Sequence, residues 1–595
     1  MGIIMRMNKG KTNFLRNTGY WPNAMLLLYP FFVTACFAYL SEYSGLFPSI
    51  LAKSSVFNVL LLLSGLSAIA IIESVRVKNG ILRTVYFFQF VFLFCETYHF
   101  LIYDQLIGLP SIYPLIDTNI QEMKEYIAAN LKSGYLIFSL AVSLPVLYFS
   151  ISPVRMKKLS CAPLHAVAPA LTFSCIAAFA VSDIKPYLID YNPIFSINKS
   201  VFSAIREKAR VNQLNSHAPS ILPGEVRNDD SEMTHILIIS ESINRNHMSL
   251  YGYGRNTSPH LTKMSDQLFV QQDTCSSRNT TIPALQEMLT FATREDRDYL
   301  YSAPNLIQLM KAAGFATYWV SNQQEIGEHD SFLSVFSSSA DHKLFINRRG
   351  WNDGVSHDEK LLLPVREILK NGVRKKFIII HLIGAHARYD LRYPESYNVF
   401  HDADKKSHSG NGNALSASAM QTFNQYDNAV LYNDFFTSRM IEMQDRQAPV
   451  TLSYISDHGE AINEKGEFFG HAENLPYRSI NEIPAFFWIS DSLKISMNKK
   501  ITALKENLHA PFQSDQTIHT LLSLYNVKYK LLDYKHSLFD TSFTRKLRYC
   551  DSLRLTRDPK SASFADAYIS RPAGSPVMAQ TARTIHPSFL QFIPR

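Results

Sequence analysis

The chain has 595 residues, 46% of them hydrophobic, and a formal net charge of +8. Length alone suggests several domains of ordinary size, but nearly all the long charge-free runs fall before residue 185, so the chain divides into a membrane part and a soluble part. The basic excess is dispersed, with no basic stripe interleaved with aromatics, which argues against a nucleic-acid partner and for an anionic membrane or glycolipid surface.

Five runs, residues 23–40, 56–72, 84–102, 134–152 and 164–181, are long and apolar enough to cross a bilayer, which takes about 20 residues of helix with about 17 as the lower limit. The segment before the first run carries Arg6, Lys9, Lys11 and Arg16, too far from it and too polar for a cleaved signal peptide, so the first helix is expected to stay as an anchor. Lys and Arg crowd the second and fourth connections, at Arg76, Lys78 and Arg83 and at Arg155, Lys157 and Lys158. The positive-inside rule therefore predicts a cytoplasmic N-terminus and an external, periplasmic location for everything after Val181. In the third run Glu96 and His99, three apart, share one helix face at membrane depth. Of six cysteines only Cys275 and Cys550 lie in the soluble part, where an oxidising compartment permits one bridge between them.

These limits give a membrane domain of five helices over 1–185, an amphipathic linker over 186–230 and a soluble domain over 231–595. In the linker, Phe195, Ile197, Val201, Phe202 and Ile205 recur near helical spacing, which predicts a helix lying on the outer membrane face. From Thr234 onward, strands are predicted at 234–240, 315–321, 376–384, 450–456 and 483–490, with helical patterns between them such as NLIQLMKAAG, whose glycine makes a C-cap. Apolar strands alternating with helices predict an α/β domain with a mostly parallel central sheet covered on both faces. In such a sheet the site lies beyond the carboxyl ends of the strands.

At those ends the chain places acids and imidazoles. Glu241 follows the first strand, His386 the third, Asp457 and His458 the fourth, and His471 comes in the loop after. Packing does not call for this, because burying such groups is costly unless they share a proton or a cation. Oxygen and imidazole donors together suit zinc or manganese better than magnesium. Gly459 is expected to let the backbone turn sharply beneath Asp457 and His458. In CSSRNTTIPALQEMLTFA, Thr280 and Thr281 stand just before Pro283 and an apolar-periodic helix. A threonine hydroxyl at a helix N-terminus meets free amides and a dipole that favour an oxyanion and phosphate oxygens, and a metal ion would lower its pKa. Either threonine could instead be an ordinary N-cap.

Taken together, ISESINRNHMSLYGYGRNTSPHLTKM, TTIPALQEMLTFA, HLIGAHARYDLRYP, SDHGEAINEKGEFFGHA and IPAFFWISD resemble the bacterial phosphoethanolamine transferases. The resemblance implies five membrane spans and a periplasmic domain of the alkaline phosphatase and sulfatase superfamily. It also implies transfer of the phosphatidylethanolamine headgroup, through a phosphothreonine, to lipopolysaccharide or a periplasmic glycan. Position by position it makes Thr281, rather than Thr280, the nucleophile. Glu241, Thr281, Asp457 and His458 become ligands of one zinc ion, His386 and His471 contacts to the phosphoryl group or to a second zinc, and Glu460 a contact to the donor headgroup. The implied enzyme works as a monomer in the inner membrane. Two departures stand out: Pro-Ala-Leu replaces the Pro-Cys-Met of the disulfide-rich lipid A branch, and the segment after the second strand reads SNQQEIGEHD. Both place the chain nearer the branch that decorates lipopolysaccharide core sugars or glucans. The competing readings are a phosphoglycerol transferase or phosphatase on the same fold, and a non-enzymatic membrane scaffold with a structural metal.

Overall fold

The computed structural model describes residues 20–40, 69, 72, 74–103, 105–108, 111–112, 131–151, 193–216, 219, 221–324, 332–347, 355–401, 415–463, 468–473, 475 and 477–551. Three apolar helices stand where the first, third and fourth membrane runs were expected: α1 (Tyr20–Leu40), α2 (Val75–Tyr103) and α3 (Ser133–Ile151). Among the described residues two of them, α2 and α3, meet the length and hydropathy needed to cross a membrane. The runs at 56–72 and 164–181 fall almost entirely outside the described residues.

Helix α2 begins before the expected span, so that Arg76, Lys78 and Arg83 lie within it rather than in a connection. Its buried residues Leu82, Tyr86, Gln89, Leu93, Glu96 and Phe100 repeat at three and four, the stripe of a helix packed on neighbours. Phe87 and Phe88 of α2 and Ile137, Phe138 and Leu144 of α3 stay exposed. Glu96 and His99 serve local backbone: Glu96 Oε1 accepts the Ile107 N–H at 3.0 Å and His99 Nδ1 lies 2.9 Å from the Gln105 carbonyl.

The linker forms helix α4 (Pro193–Ser216). Ser196, Ile197, Ser200 and Ala204 are buried, whereas Phe202 and Ile205, two of the residues expected to face the membrane, are 70% and 53% exposed. Small residues at a four-residue spacing let a helix approach its neighbours closely. Near its C-terminal part Glu207 accepts from the Tyr301 hydroxyl at 2.5 Å and pairs with Arg297 at 3.4 Å.

The soluble domain is built on a seven-stranded sheet. In chain order its strands are β1 (Met233–Ser240), β2 (Leu268–Gln271), β3 (Ala316–Gln324), β4 (His342–Asn347), β5 (Lys375–His381), β6 (Val450–Ser456) and β9 (Ala485–Ile489), with the two-stranded hairpin β7 (Ala461–Ile462) and β8 (Phe469–Gly470) between β6 and β9. The sheet order is β2-β9-β6-β1-β5-β3-β4. The strands β6, β1, β5, β3 and β4 are parallel, while β9 runs antiparallel to both β6 and β2. An apolar strand covered on both faces has the same composition in either direction, so the run at 483–490 announced a strand but not its polarity.

Side chains alternate between faces, and β1 shows it. Leu237 and Ile239 join one core with Leu285, Met288 and Leu289 of helix α5 (Thr281–Leu289) and with Leu306 and Leu309 of helix α6 (Leu306–Ala312). Ile236 and Ile238 join the other with Tyr426, Val430 and Phe436 of helix α7 (Ala417–Glu442). Helix α6 opens on a capping box between Asn305 and Gln308 and is followed by Gly314 at φ +85°, the left-handed position glycine fills at a helix end. Cys275 and Cys550 form a disulfide with Cα atoms 6.3 Å apart. It pins the far end of the described chain beside the segment that leads into α5.

Candidate active site at the strand ends

Strands β1 and β6 are paired in parallel with Ser240 opposite Ser456, so the next residues, Glu241 and Asp457, emerge side by side. Ser242 turns the chain away at φ 60°, and its hydroxyl donates to Glu241 Oε1 at 2.8 Å. On the neighbouring β5 side the chain passes Gly384, where a Cβ would sit 2.5 Å from the Glu241 carbonyl oxygen. Asp358, buried under this turn, accepts the Ile383 and Gly384 amides at 3.0 and 3.1 Å and fixes the approach to His386.

Helix α5 brings Thr281 to the same point as its first residue. The Thr281 hydroxyl donates to Glu241 Oε2 at 3.0 Å and lies 3.3 Å from His458 Nε2. His458 Nε2 is also 3.3 Å from Glu241 Oε1 and 3.5 Å from Asp457 Oδ2. Glu241, Asp457 and His458 are all buried. The His458 ring is oriented by Nδ1, 2.8 Å from the Gly459 carbonyl, which turns Nε2 toward the carboxylates. Asp457 Oδ1 accepts the amides of Ser242 and His458 at 3.1 and 2.6 Å, while Oδ2 is buried with no hydrogen-bond partner among the described residues.

Burial pushes the Asp457 carboxyl well above its usual range, and the Glu241 charge adds to this. Burial alone would push the His458 imidazole down, but the Asp457 and Glu241 carboxylates hold it up at about 10. Burial would also raise Glu241, yet the hydrogen bond and charge of His458 keep it well below the ordinary value. The cluster therefore demands positive charge at its centre, from protons or from a cation. The geometry fits a cation. Four ligands about 2.0–2.2 Å from a tetrahedral ion stand roughly 3.3–3.6 Å apart, and the four separations given above, from 3.0 to 3.5 Å, lie near that spacing. The orphaned Asp457 Oδ2 would gain the partner it lacks.

Beside this cluster, the His471 ring lies 4.0 Å from the His458 ring, centroid to centroid. His471 Nδ1 is 2.6 Å from Glu460 Oε2, leaving Nε2 as the nitrogen available to a substrate. Glu460 Oε1 accepts from the Tyr389 hydroxyl at 2.5 Å. Glu460, expected to contact a headgroup, is fully buried, with one oxygen bonded to the Tyr389 hydroxyl and the other to His471. His386 is half-buried, and its Nδ1 has no partner among the described residues.

The two threonines separate. Thr280, the residue before α5, gives its hydroxyl to Glu473 at 3.2 Å and caps nothing, whereas Thr281 faces Glu241 and His458. The expectation for Gly459 needs its reason changed. Its backbone is not left-handed; a Cβ there would lie 2.2 Å from the Ser479 carbonyl oxygen, so close approach and not a sharp turn requires glycine. Sequence reasoning missed Gln323, whose Nε2 reaches Glu241 Oε2 at 3.5 Å and the Leu382 carbonyl at 2.9 Å. It also missed Asn279 and Glu473, which join the loop before Thr281 to the His471 loop. Amides and a lone acid in polar loops carry no spacing signal, although Gln323 lies at the end of a predicted strand like the others.

With this arrangement in view, comparison with known proteins places the chain. The sulfatase family profile matches residues 234–527. The periplasmic domain of EcEptC from Escherichia coli, solved as a complex with Zn, is 31% identical, is covered over 92% of its length by 55% of this chain, and superposes with a TM-score of 0.51. The chain belongs to the sulfatase family. The full phosphoethanolamine transferase EptC of Escherichia coli K12 is 31% identical over 341 residues, 56% of this chain and 58% of that relative, so the match spans little more than half of its length. The integral membrane protein lipooligosaccharide phosphoethanolamine transferase A of Neisseria meningitidis is 20% identical over 88% of this chain and 98% of its own, with a TM-score of 0.62, and so shares the fold. The sheet of this chain is mostly parallel and mixed at one edge.

Proposed function

We propose that the chain is a phosphoethanolamine transferase that takes the headgroup of phosphatidylethanolamine onto Thr281 and passes it to lipopolysaccharide, on a core sugar or lipid A, or to another periplasmic glycan. The observation that carries this reading is the Thr281 hydroxyl at the N-terminus of α5, 3.0 Å from Glu241 and 3.3 Å from His458. Relatives that are phosphoethanolamine transferases by name support the group transferred.

In the first step the Thr281 oxygen forms a bond to phosphorus, the bond from phosphorus to the diacylglycerol oxygen breaks, and the leaving oxygen takes up a proton. The proton that Thr281 gives up leaves along its hydrogen bond to Glu241 Oε2, and Glu241 keeps its second oxygen, Oε1, on the His458 side to hold a cation. The free amides of the first turn of α5 face the phosphoryl oxygens. His386 and His471 stabilise the developing charge, and one of them protonates the leaving oxygen; Glu460 and Tyr389 hold His471 in place for this. In the second step an acceptor hydroxyl or phosphate oxygen attacks the phosphothreonine and Thr281 takes back its proton. A zinc ion held by Glu241, Asp457 and His458 together with the Thr281 oxygen would lower the hydroxyl pKa and neutralise phosphoryl charge.

The membrane part belongs to the same reading. Five helices, a cytoplasmic N-terminus and a periplasmic catalytic domain bring the site to the outer leaflet, where a lipid donor can reach it. Two observations test the proposal: diacylglycerol release from phosphatidylethanolamine by the purified chain, and the mass of lipopolysaccharide and periplasmic glucans with and without it. Diacylglycerol release together with an acceptor heavier by one phosphoethanolamine group is expected. A phosphoglycerol increment, or hydrolysis without transfer, would replace this reading with one of its competitors.

A further inference from the structure

Glu473 stands two residues beyond His471, is 6% exposed, and has no part in the steps above. Its Oε1 accepts the Asn279 backbone N–H at 2.9 Å and the Thr280 hydroxyl at 3.2 Å, and Arg294 lies 3.9 Å from its Oε2. The Asn279 side chain spans the same gap in the other direction, its Nδ2 donating to the Ala472 and Leu475 carbonyls at 3.2 Å each. Its Oδ1 accepts from Asn481 Nδ2 at 2.8 Å, and Asn481 also donates to the Ser276 carbonyl at 3.0 Å. The loop ending at Thr281 and the loop beginning at His471 are thus joined by bonds that touch neither residue. Strand pairing cannot do this work, because the two loops leave different elements.

We infer that Glu473 is a positioning residue that fixes the separation between the Thr281 hydroxyl and the His471 imidazole. A buried carboxylate is tolerated only when its lone pairs are used; here they are used on the backbone and hydroxyl just ahead of the nucleophile. When Glu473 is removed, the Asn279 side chain still reaches the Ala472 and Leu475 carbonyls, but the Asn279 N–H and the Thr280 hydroxyl lose their acceptor, and the backbone just ahead of Thr281 is held less firmly. A misplacement of about 1 Å between reacting groups costs about 10²-fold in rate. The inference rests on the proposed roles of Thr281 and His471, and the test separates it from them.

The full-length, zinc-loaded protein carrying Glu473→Ala or Glu473→Gln is assayed with phosphatidylethanolamine in mixed micelles, and hydrogen exchange is followed over residues 277–283. Glu473→Ala should lower turnover at saturating donor about 10²-fold while leaving the half-saturating donor concentration and the zinc content unchanged. It should also speed exchange over 277–283. Glu473→Gln, which keeps an acceptor oxygen for Asn279 and Thr280, should recover most of the turnover. Wild-type turnover in Glu473→Ala, equal losses in both variants, or loss of zinc along with activity would overturn the inference. If wild type releases no diacylglycerol, the proposed reaction fails. The exchange arm then decides alone: faster exchange at 277–283 in Glu473→Ala supports the bridge, and unchanged exchange overturns it.

Discussion

Gly459→Ala tests whether the histidine ligand is held by backbone contact. The added Cβ would lie 2.2 Å from the Ser479 carbonyl oxygen and 3.3 Å from the Ile480 carbonyl carbon and oxygen. Carbon and oxygen need about 1 Å more than the shorter of these distances. Ser479 and Ile480 cannot give way easily: Ile480 is fully buried against Ala461, Leu475 and Tyr477, and its carbonyl accepts the Gly459 N–H at 2.6 Å. The displacement therefore falls on His458 and Gly459, whose mutual bond through His458 Nδ1 sets the ring. Overpacking of this kind costs about 1–3 kcal/mol, and a ligand displaced by about 1 Å lowers turnover by about 10²-fold. Zinc retention against graded chelator, diacylglycerol release and thermal melting measure the three effects. Gly372→Ala is the control: at φ +75°, with nothing within 4 Å of the added Cβ, it strains the turn before β5 and should cost about 1 kcal/mol without touching turnover. Wild-type zinc retention and turnover in Gly459→Ala would refute the reasoning.

Three further outcomes follow from the same geometry. Thr281→Ala should abolish transfer at a stability cost no larger than about 1 kcal/mol, while Thr280→Ala should keep the covalent step; the reverse pattern, read by diacylglycerol release, would exchange their roles. In metal-free protein the His458 imidazole, raised from 6.5 to about 10, adds stability that is complete below pH 6.5 and fades as pH rises towards 10. Melting temperature should therefore fall across that window without zinc and hold with zinc bound, when the ion supplies the charge that the proton supplied. Cys275→Ser should cost about 2–5 kcal/mol, seen as a lower melting temperature under oxidising conditions and no change under reducing ones.

The sequence made the site legible because its donors follow apolar strands. Glu241, Asp457 and His458 each come at the first positions after a run that has to be a strand, and a parallel sheet brings such positions together. Thr281 was legible for a related reason, since Pro283 and the apolar period marked the start of α5. What composition could not carry was everything decided by neighbours distant in the chain. The polarity of β9, the short edge strands β2 and β4, and the partners of Glu460 all depend on contacts whose sequence signal is weak or absent. Glu460 shows the limit most clearly: its place in Asp-His-Gly-Glu suggested a substrate contact, and only Tyr389, brought from 71 residues away, shows that its oxygens are already taken.

The central claim is that Thr281 carries the headgroup. Mass spectrometry of the peptide containing residues 280 and 281, after acid quench of the purified, zinc-loaded protein with phosphatidylethanolamine and no acceptor, tests it directly. The account predicts one phosphoethanolamine group on Thr281, absent from Thr281→Ala and discharged when a lipopolysaccharide acceptor is added. An adduct on Thr280 or on a histidine, or diacylglycerol release with no adduct on this peptide, would contradict it.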